Sequence, residues 1–429
     1  MLIHEQEVVY TPLWKSRNSE LQLSDIYGRL NIMEKLAVFG GTPIREKPIY
    51  YGRQCIEQDD IDAVVETLRS DLITCGPRTA ALEKKLCEIT GAKYVVVVAN
   101  GTAALHLAAL AAGFSGGDEV IVSSITFAAS SNCVLYCGAK PVFADIDPET
   151  YNIDPASVKK LITPRTKGIV AVDFTGQAVN HDALCEICDE HHLLLIEDAA
   201  HAIGTKYRDR PVGSIADMTC FSFHPVKTVT GGEGGAITTD DEQFYRKLMR
   251  LRTHGITRTQ DEMVHPTDAL WYNEQVELGF NYRITDFQAA LLLSQLNKLA
   301  KFSARRKEIV KKYDEAFSQM PEIIVQKEIP ESDTTRHLYI LRLNPERLNC
   351  SRREFFDALY AENVCPQVHY LPVYRHSYYE KLGYGKGLCP NAEAYYEWSM
   401  SIPLYYALTD QEVEDTIRAV KKVVGYYRK

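Results

Sequence analysis

Short apolar runs rich in β-branched residues alternate along this chain with segments in which apolar residues recur at helical spacing. The run at residues 93–99, which reads Lys-Tyr-Val-Val-Val-Val-Ala, is followed by six similar runs before residue 240. A run that is apolar throughout is typical of a strand covered on both faces, as in a parallel sheet. The pattern predicts the further strands at 119–123, 141–145, 168–172, 193–197, 218–223 and 235–239.

Helical spacing of apolar residues is found in segments that separate most of these runs. It predicts helices over residues 59–70, 78–89 and 182–191, and a long helix over 284–303 that leaves the strand-rich region. Strands that alternate with helices in this way predict an α/β large domain built on a mostly parallel sheet.

The pattern changes on either side of that region. Residues 1–32 show little periodicity, and after residue 300 helices are joined by only a few apparent strands, at 337–343 and 364–370. A chain of 429 residues is long enough for a large domain and a smaller one. We therefore predict an N-terminal extension at 1–32, a large domain with an N-terminal arm at 33–300, and a smaller C-terminal α+β domain at 301–429.

Charge and composition narrow the function classes. The formal net charge of -9, without any basic tract, argues against binding to nucleic acid or to an anionic membrane surface. No stretch approaches the ~20 apolar residues of a membrane-spanning helix, and no secretory signal is visible, so we expect a cytoplasmic protein. The eleven cysteines are scattered, which is typical of reduced thiols. Cys185 and Cys188 form a CxxC pair without a second pair at zinc-ribbon spacing, so no metal site is predicted.

Lys227 is the strongest candidate for covalent chemistry. It ends the segment 220–227, Cys-Phe-Ser-Phe-His-Pro-Val-Lys, which closes a predicted strand and precedes the glycine-rich residues 231–235. Burial lowers the pKa of a lysine, and the free amine can then form a Schiff base with an aldehyde or ketone. Taken alone, a lysine at the end of a strand is more often exposed to water, so the interpretation depends on the other strand ends.

The turn after the first of these strands suits a phosphate. Gly101 and Thr102 stand between the strand at 93–99 and an Ala/Leu-rich helix, where free backbone N–H groups and a hydroxyl can bind an anion. A plain helix cap by Asn100 or Thr102 is the alternative. The chain has neither GxGxxG after its first strand nor GxxxxGK[ST], so neither a nicotinamide enzyme nor a P-loop enzyme is predicted.

Two other strand ends complete a pattern. Asp198 and His201 follow the strand at 193–197, where a carboxylate can hold the protonated nitrogen of a pyridine ring. Phe127 follows the strand at 119–123 and can lie flat against the same ring, although a core aromatic is the alternative. The phosphate turn, the aromatic plate, the carboxylate and the lysine together predict a pyridoxal phosphate site.

From about residue 36 to its end, the chain resembles the sugar aminotransferases of the DegT/DnrJ/EryC1/StrS family. The resemblance lies in the segments 100–105 (Asn-Gly-Thr-Ala-Ala-Leu), 126–132 (Thr-Phe-Ala-Ala-Ser-Ser-Asn), 197–201 (Glu-Asp-Ala-Ala-His), 221–227 (Phe-Ser-Phe-His-Pro-Val-Lys) and 279–283 (Gly-Phe-Asn-Tyr-Arg). It implies an aspartate aminotransferase-like large domain (pyridoxal phosphate fold type I) and pyridoxal 5'-phosphate as the cofactor.

The same resemblance implies roles for single residues. Lys227 would carry the cofactor as a Schiff base and act in catalysis, and Asp198 would bind the pyridine nitrogen. The further cofactor contacts that it implies are Gly101, Thr102, Phe127, His201, Ser222 and Asn281. Because the Asn281 loop serves the partner subunit in this family, we expect a homodimer with shared active sites.

Within the family, residues 222–227 and 367–374 are similar to the C4 aminotransferases of pseudaminic acid biosynthesis. That similarity implies transfer of the amino group of L-glutamate to the keto carbon of a nucleotide-linked sugar, UDP-2-acetamido-2,6-dideoxy-β-L-arabino-hexos-4-ulose. The product would be UDP-4-amino-4,6-dideoxy-N-acetyl-β-L-altrosamine. The residues suggested for substrate binding are Arg283, His337, His369 and Tyr374.

Three alternatives stay open. The chain could aminate another dTDP- or UDP-linked keto sugar at C3 or C4, or it could be a catalytically silent, cofactor-binding regulatory protein. It could also be a 3-dehydratase of the same fold. Family members that perform dehydration carry His at the Schiff-base position, so Lys227 favours transamination. A silent protein would have less reason to keep the lysine, the aspartate and the phosphate turn together.

Overall fold

The fold is described by a computed structural model, which covers residues 34–429; the extension predicted at 1–32 lies outside the described residues. The strands of the described part are β1 Ile49–Tyr50, β2 Tyr94–Val98, β3 Glu119–Ser123, β4 Lys140–Ala144, β5 Thr166–Val172, β6 Leu194–Asp198, β7 Lys206–Tyr207, β8 Arg210–Pro211, β9 Met218–Ser222, β10 Gly235–Thr239, β11 Ile256–Thr257, β12 Glu274–Gln275, β13 Ile323–Val325, β14 Ser332–Asp333, β15 Tyr339–Leu343, β16 Val364–Cys365 and β17 Ser399–Ile402. Its α-helices are α1 Gln58–Leu68, α2 Pro77–Thr90, α3 Gly101–Ala111, α4 Ala129–Tyr136, α5 Pro155–Leu161, α6 His181–His191, α7 Glu242–Arg252, α8 Asp286–Asn297, α9 Leu299–Phe317, α10 Arg352–Ala361, α11 Ser377–Lys381, α12 Pro390–Trp398 and α13 Asp410–Tyr427.

A seven-stranded sheet is the centre of the molecule. Its strand order is β2-β10-β9-β6-β5-β3-β4, and neighbouring strands are parallel except that β10 runs antiparallel to both β2 and β9. All seven strands predicted from apolar runs belong to it, with bounds that differ by at most two residues. The predicted α/β fold with a mostly parallel sheet is confirmed.

Helices cover both faces of this sheet, which explains why its strands are apolar throughout. Alternate side chains of a strand point to opposite faces. Val122 and Ile196 therefore pack on one side, in a core to which α3, α4 and α7 contribute. Ile121 and Leu195 pack on the other side, against α5 and α6. All four side chains are buried.

A second core lies around the antiparallel sheet β13-β15-β17, covered by α9, α10 and α13. Leu36 and Ile49, from the segment predicted as an arm of the large domain, pack into this core. The strand β1 also pairs in parallel with β16. The N-terminal arm is therefore bound to the C-terminal part of the chain, and the predicted boundary near residue 300 stays a prediction.

The single long helix predicted over 284–303 is wrong, because the structure has two helices, α8 and α9, that meet at Lys298. The N–H of Lys298 closes a tight turn onto the carbonyl oxygen of Gln295 at 2.9 Å. Its ammonium reaches across to α1, 2.6 Å from Asp59 Oδ1 and 2.8 Å from Asp60 Oδ2. The spacing of apolar residues continues through the junction and does not reveal the turn.

Two expectations from composition can be checked on the described part. All eleven cysteines are free thiols, including Cys185 and Cys188 on α6. Among the helices of residues 34–429, none combines the length and the apolar content that a bilayer crossing requires.

Asp286, at the start of α8, ties α8 to α2. The carboxylate is fully buried. It accepts hydrogen bonds from the N–H groups of Gly76 and Arg78, both at 3.1 Å, and from Thr79 Oγ1 at 2.5 Å. These donors lie at the N-terminus of α2, where four N–H groups lack a partner within the helix and a negative charge is favourable.

We expect Asp286→Ala to lower the free energy of unfolding by about 3 kcal/mol, because three donors at the start of α2 lose a charged acceptor. Urea denaturation followed by circular dichroism measures the change. The control is Asp62→Ala, since Asp62 is exposed on α1 and, within residues 34–429, its side chain accepts a hydrogen bond from Gln58 of the same helix alone. Equal stability of the two variants would contradict this role of Asp286.

Candidate active site

Lys227 and Asp198 meet at the carboxyl edge of the central sheet. Asp198 is the last residue of β6, and Lys227 follows β9, the neighbouring parallel strand. The two side chains are close enough for their charges to interact. Burial lowers the pKa of Lys227 to about 8, against the opposing effect of the Asp198 charge. The lysine predicted from sequence is therefore an amine that loses its proton more readily than a surface lysine.

The Asp198 carboxylate is held in a fixed position. Its Oδ2 accepts a hydrogen bond from Ser130 Oγ at 2.5 Å, and its Oδ1 accepts one from the N–H of Ala200 at 3.1 Å. Burial raises the pKa of this carboxyl group, while the Ser130 and Ala200 hydrogen bonds and the charge of Lys227 act in the other direction. A buried carboxylate of this kind favours a cationic partner, such as a protonated ring nitrogen.

The N-terminus of α3 lies against the end of β9. Asn100 caps the helix by accepting a hydrogen bond from the N–H of Ala103 at 2.8 Å. A Cβ atom added to Gly101 would lie 2.8 Å from Ser222 Cβ and 3.1 Å from Ser222 Oγ, so only glycine fits there. Ser222 Oγ and the first N–H groups of α3, at Gly101 and at the exposed Thr102, thus lie at one helix N-terminus, which suits a phosphate.

Three histidines form the other side of the site. The rings of His201 and His337 lie 4.4 Å apart, and His201 Nε2 lies 3.4 Å from the hydroxyl of Tyr370. Burial and the nearby Lys227 lower the pKa of His201 and His337 well below the ordinary value and that of His369 to about 3. All three rings are therefore neutral at physiological pH.

Phe127 is an exposed aromatic residue next to Tyr370 at the site. Its side chain is 64% exposed although it is a large aromatic, and its ring centroid lies 6.3 Å from that of Tyr370. The alternative of a core aromatic is therefore wrong. An exposed ring at this sheet edge is free to stack on a planar ligand.

Tyr374 does not lie with its side chain among the polar residues of the candidate site. It is fully buried, and its hydroxyl donates a hydrogen bond to Glu393 Oε1 at 2.9 Å. Its ring packs against Phe143, with the centroids 5.5 Å apart. The predicted substrate contact of Tyr374 is corrected to a packing role, because its ring and its hydroxyl both have partners in the core.

Asn281 and Arg283 have no polar contact with Lys227 among the described residues. Asn281 is exposed and forms a bridge with Thr253, and Arg283 is partly exposed. Within residues 34–429, neither side chain forms a hydrogen bond or ion pair with Lys227 or Asp198. Their roles stay predictions.

Two residues of the site were missed from sequence. Ser130 fixes Asp198, and Tyr370 contacts His201 and approaches Phe127. Both lie inside segments that carry the family resemblance, at 126–132 and 367–374. Their place in these segments was the signal by which they could have been found. Nothing in the spacing distinguishes them from their polar and aromatic neighbours.

The assembled residues fit pyridoxal phosphate. An anion fits the N-terminus of α3 beside Ser222, and a protonated pyridine nitrogen fits Asp198. The aldehyde carbon fits the amine of Lys227, whose lowered pKa favours attack on a carbonyl. The Nδ1 atom of the buried His201 has no partner among the described residues, which leaves it available to a polar ligand.

Comparison with known sequences also indicates an aminotransferase that uses pyridoxal phosphate. The model of the DegT/DnrJ/EryC1/StrS aminotransferase family matches residues 54–421. The spore coat polysaccharide biosynthesis protein SpsC of Bacillus subtilis is 40% identical over 376 residues, which are 87% of this chain and 96% of that protein. The UDP-4-amino-4,6-dideoxy-N-acetyl-beta-L-altrosamine transaminase of Campylobacter jejuni is 36% identical over 384 residues, 88% of this chain and 99% of that one.

Solved structures share the fold over nearly the whole length. PseC of Helicobacter pylori, an aminotransferase involved in pseudaminic acid biosynthesis, has a TM-score of 0.82 and 31% identity over 89% of this chain and all of its own. Spr1654 of Streptococcus pneumoniae, in its pyridoxal phosphate form, has a TM-score of 0.82 and 32% identity over 88% of this chain and 99% of its own. The chain therefore belongs to the DegT/DnrJ/EryC1/StrS aminotransferase family and is a sugar aminotransferase of fold type I that uses pyridoxal phosphate.

Proposed function

We propose that this aminotransferase moves the amino group of L-glutamate to C4 of a nucleotide-linked 4-keto-6-deoxy sugar. The substrate that we infer is UDP-2-acetamido-2,6-dideoxy-β-L-arabino-hexos-4-ulose. The observation that carries the proposal is the half-buried Lys227 beside Asp198, with the pKa of its amine lowered by burial, in a chain 36% identical to a transaminase named for the corresponding 4-amino product. We propose further that it works in the cytoplasm as a homodimer.

A second candidate substrate is suggested by another relative of this chain. The Bacillus relative, which is 40% identical, is named for spore coat polysaccharide biosynthesis. Another UDP- or dTDP-linked keto sugar of a polysaccharide pathway, aminated at C3 or C4, is therefore the alternative. The chemistry at Lys227 would be the same, and only the sugar pocket would differ.

The cofactor, when bound, supplies an electron sink that stabilises negative charge at the carbon whose proton is removed. Asp198 would bind its ring nitrogen, and Phe127 would lie against its ring. The proposed phosphate contacts are Gly101, Thr102, Ser222 and, from a second copy of the chain, Asn281. His201 would stand next to the ring oxygen, a position consistent with its neutral imidazole.

Lys227 would act twice. Its Nζ would first hold the cofactor, and after the donor amino acid displaces it the free amine would take the proton from Cα of that amino acid. In the second half of the cycle Nζ would return a proton to the sugar carbon that gains the amino group. L-glutamate leaves as 2-oxoglutarate before the keto sugar reacts, which gives ping-pong kinetics.

Substrate binding is proposed for three of the four residues suggested from sequence. His337 and His369 are buried near Lys227, which contributes to their lowered pKa values. Arg283 is partly exposed close to Asn281 in sequence and could contact a phosphate across a dimer interface. Tyr374 is excluded by its place in the core.

Lys227→Ala is expected to lower the transamination rate by at least about 1,000-fold, because both the anchor and the proton carrier are lost. The rate of 2-oxoglutarate formation in the presence of keto sugar measures it. The control Lys206→Ala removes an exposed lysine of β7 and should keep the wild-type rate. A Lys227→Ala enzyme near the wild-type rate would remove Lys227 from the mechanism.

Asp198→Asn is expected to lower kcat at least about 100-fold while the protein stays folded, because a neutral amide stabilises a protonated ring nitrogen less than a carboxylate does. Steady-state kinetics and circular dichroism check the two parts. Asp209→Asn, at an exposed turn, serves as the matched control. Unchanged kcat in Asp198→Asn would show that the ring nitrogen has another partner.

A panel of UDP- and dTDP-linked keto sugars identifies the substrate. Each sugar is incubated with enzyme and L-glutamate, and the products are analysed by mass spectrometry and NMR, with Lys227→Ala as the negative control. We expect the 4-amino product from the UDP-linked L-arabino-hexos-4-ulose. Amination of a different sugar only would replace the proposed substrate. A bound cofactor whose spectrum no amino acid changes would instead indicate a silent protein.

A further inference from the structure

A cluster of three buried titratable side chains lies beside the active site and has no role in the mechanism above. Glu197, which directly precedes Asp198 on β6, is fully buried together with Asp173 and His181. His181 Nε2 lies 2.8 Å from Glu197 Oε1, and Thr219 Oγ1 donates a hydrogen bond to Glu197 Oε2 at 2.8 Å. One ligand atom from each of Asp173, His181 and Glu197 lies within 4.8 Å of the others.

The cluster contains a buried ion pair. The imidazole Nε2 of His181 and a carboxylate oxygen of Glu197 lie at hydrogen-bond distance from each other. Burial disfavours the His181 cation, but the adjacent Glu197 raises the pKa of His181 to about 10. Burial likewise opposes ionisation of Glu197, yet His181 and Thr219 lower its pKa.

Asp173 completes the cluster in its neutral form. Burial and the charge of Glu197 raise the pKa of Asp173 well above its ordinary value, and its Oδ1 accepts a hydrogen bond from the N–H of Val179 at 2.9 Å. The three residues together therefore carry one positive and one negative charge. Buried ion pairs rarely add net stability over apolar packing, so their presence beside a catalytic residue calls for another explanation.

The cluster is joined to Asp198 through the main chain. Successive residues of a strand point to opposite faces, so Glu197 lies behind the face that carries Asp198. The N–H of Asp173 donates a hydrogen bond to the carbonyl oxygen of Asp198 at 3.1 Å. Thr219 lies on β9, opposite Glu197 in the strand pairing, and precedes the segment that ends in Lys227. The cluster thus ties β5, β6, β9 and α6 together at the sheet edge.

The charge of Asp198 interacts with those of several neighbouring groups. The titratable groups that interact with Asp198 are Lys227, Cys133, Cys220 and Tyr370 and, from the opposite face of β6, Glu197. The two thiols and the phenol are neutral because burial raises their pKa values. Glu197 is therefore the anionic neighbour among the described residues. Burial is the main cause that raises the pKa of Asp198, and the charge of Glu197 raises it further.

We propose that His181 is a positioning residue whose ion pair with Glu197 fixes β6 and shields Asp198 from the Glu197 charge, so that Asp198 stays ionised beside the ring nitrogen. This inference rests on the proposed role of Asp198. In the absence of His181, Glu197 would act on Asp198 as an uncompensated buried anion. In the absence of Glu197, that repulsion would disappear.

The test measures the affinity of the apoenzyme for pyridoxal phosphate between pH 5 and 9, which needs no substrate. Wild-type affinity should fall as the pH drops and Asp198 takes up a proton. His181→Gln should move the midpoint of this fall upward by about half a pH unit or more, because a bare anion raises the pKa of Asp198. Glu197→Gln should move it downward, and the double variant should return near the wild-type midpoint.

Controls separate this role from simple packing. His191→Gln, on the same helix α6 but exposed, should leave both the midpoint and the thermal unfolding unchanged. Asp173→Asn keeps a hydrogen-bond donor in place of the acid and should resemble the wild type. If His181→Gln, Glu197→Gln and the double variant unfold at lower temperature but share the wild-type midpoint, the cluster is structural and the proposal is overturned.

Two further outcomes are decisive. If His181→Gln does not fold, Glu197→Gln carries the test alone, and an unchanged or raised midpoint overturns the proposal. Asp198→Asn identifies the source of the pH dependence. If that variant keeps the wild-type midpoint, the proposed role of Asp198 fails first, independently of the sugar substrate, and this inference falls with it.

Discussion

The site depends on a parallel sheet that brings the ends of several strands to one edge. Asp198 at the end of β6 and Lys227 after β9 can approach each other only because β6 and β9 are adjacent and parallel. Closeness and burial then act on the chemistry, since the environment that lowers the pKa of Lys227 also raises that of Asp198. If the two side chains were exposed on the surface, burial would not lower the pKa of the lysine or raise that of the aspartate.

The antiparallel strand β10 brings the proposed phosphate contacts to this edge. It lies between β2 and β9, so the turn after β2 is brought next to the end of β9. Gly235, the first residue of β10, passes so close to Asn100 that an added Cβ would lie 2.4 Å from the Asn100 carbonyl oxygen. Gly235 is thus explained by tight backbone packing against Asn100, which sets the N-terminus of α3 beside Ser222.

Much of this arrangement could be predicted because it leaves local signals. An unbroken run such as Val95–Val98 indicates a doubly covered strand, and the polar residues after such runs indicate a shared edge. Lys227, Asp198 and Phe127 were found in that way. Resemblance to a family then supplied what spacing does not contain, such as the expected contribution of Asn281 from a second subunit.

What could not be predicted depends on contacts between distant residues. Tyr374 stands in a segment that resembles a binding loop, yet its partner Glu393 lies on another helix, so only the fold shows it is buried. The turn at Lys298 is tied to Asp59 and Asp60 of α1, more than 200 positions away. The pair His181–Glu197 joins a helix to a strand, and no short motif contains both residues.

The central claim is that Lys227 holds the cofactor covalently at this edge of the sheet. Treating the purified enzyme with borohydride fixes any carbon–nitrogen double bond between the cofactor and a lysine, and peptide mass spectrometry then locates the modified residue. The account predicts one modified site, at Lys227, which disappears if the enzyme is first treated with an amino donor that displaces the lysine. A pyridoxyl group on another lysine, or none on a cofactor-loaded enzyme, would contradict it.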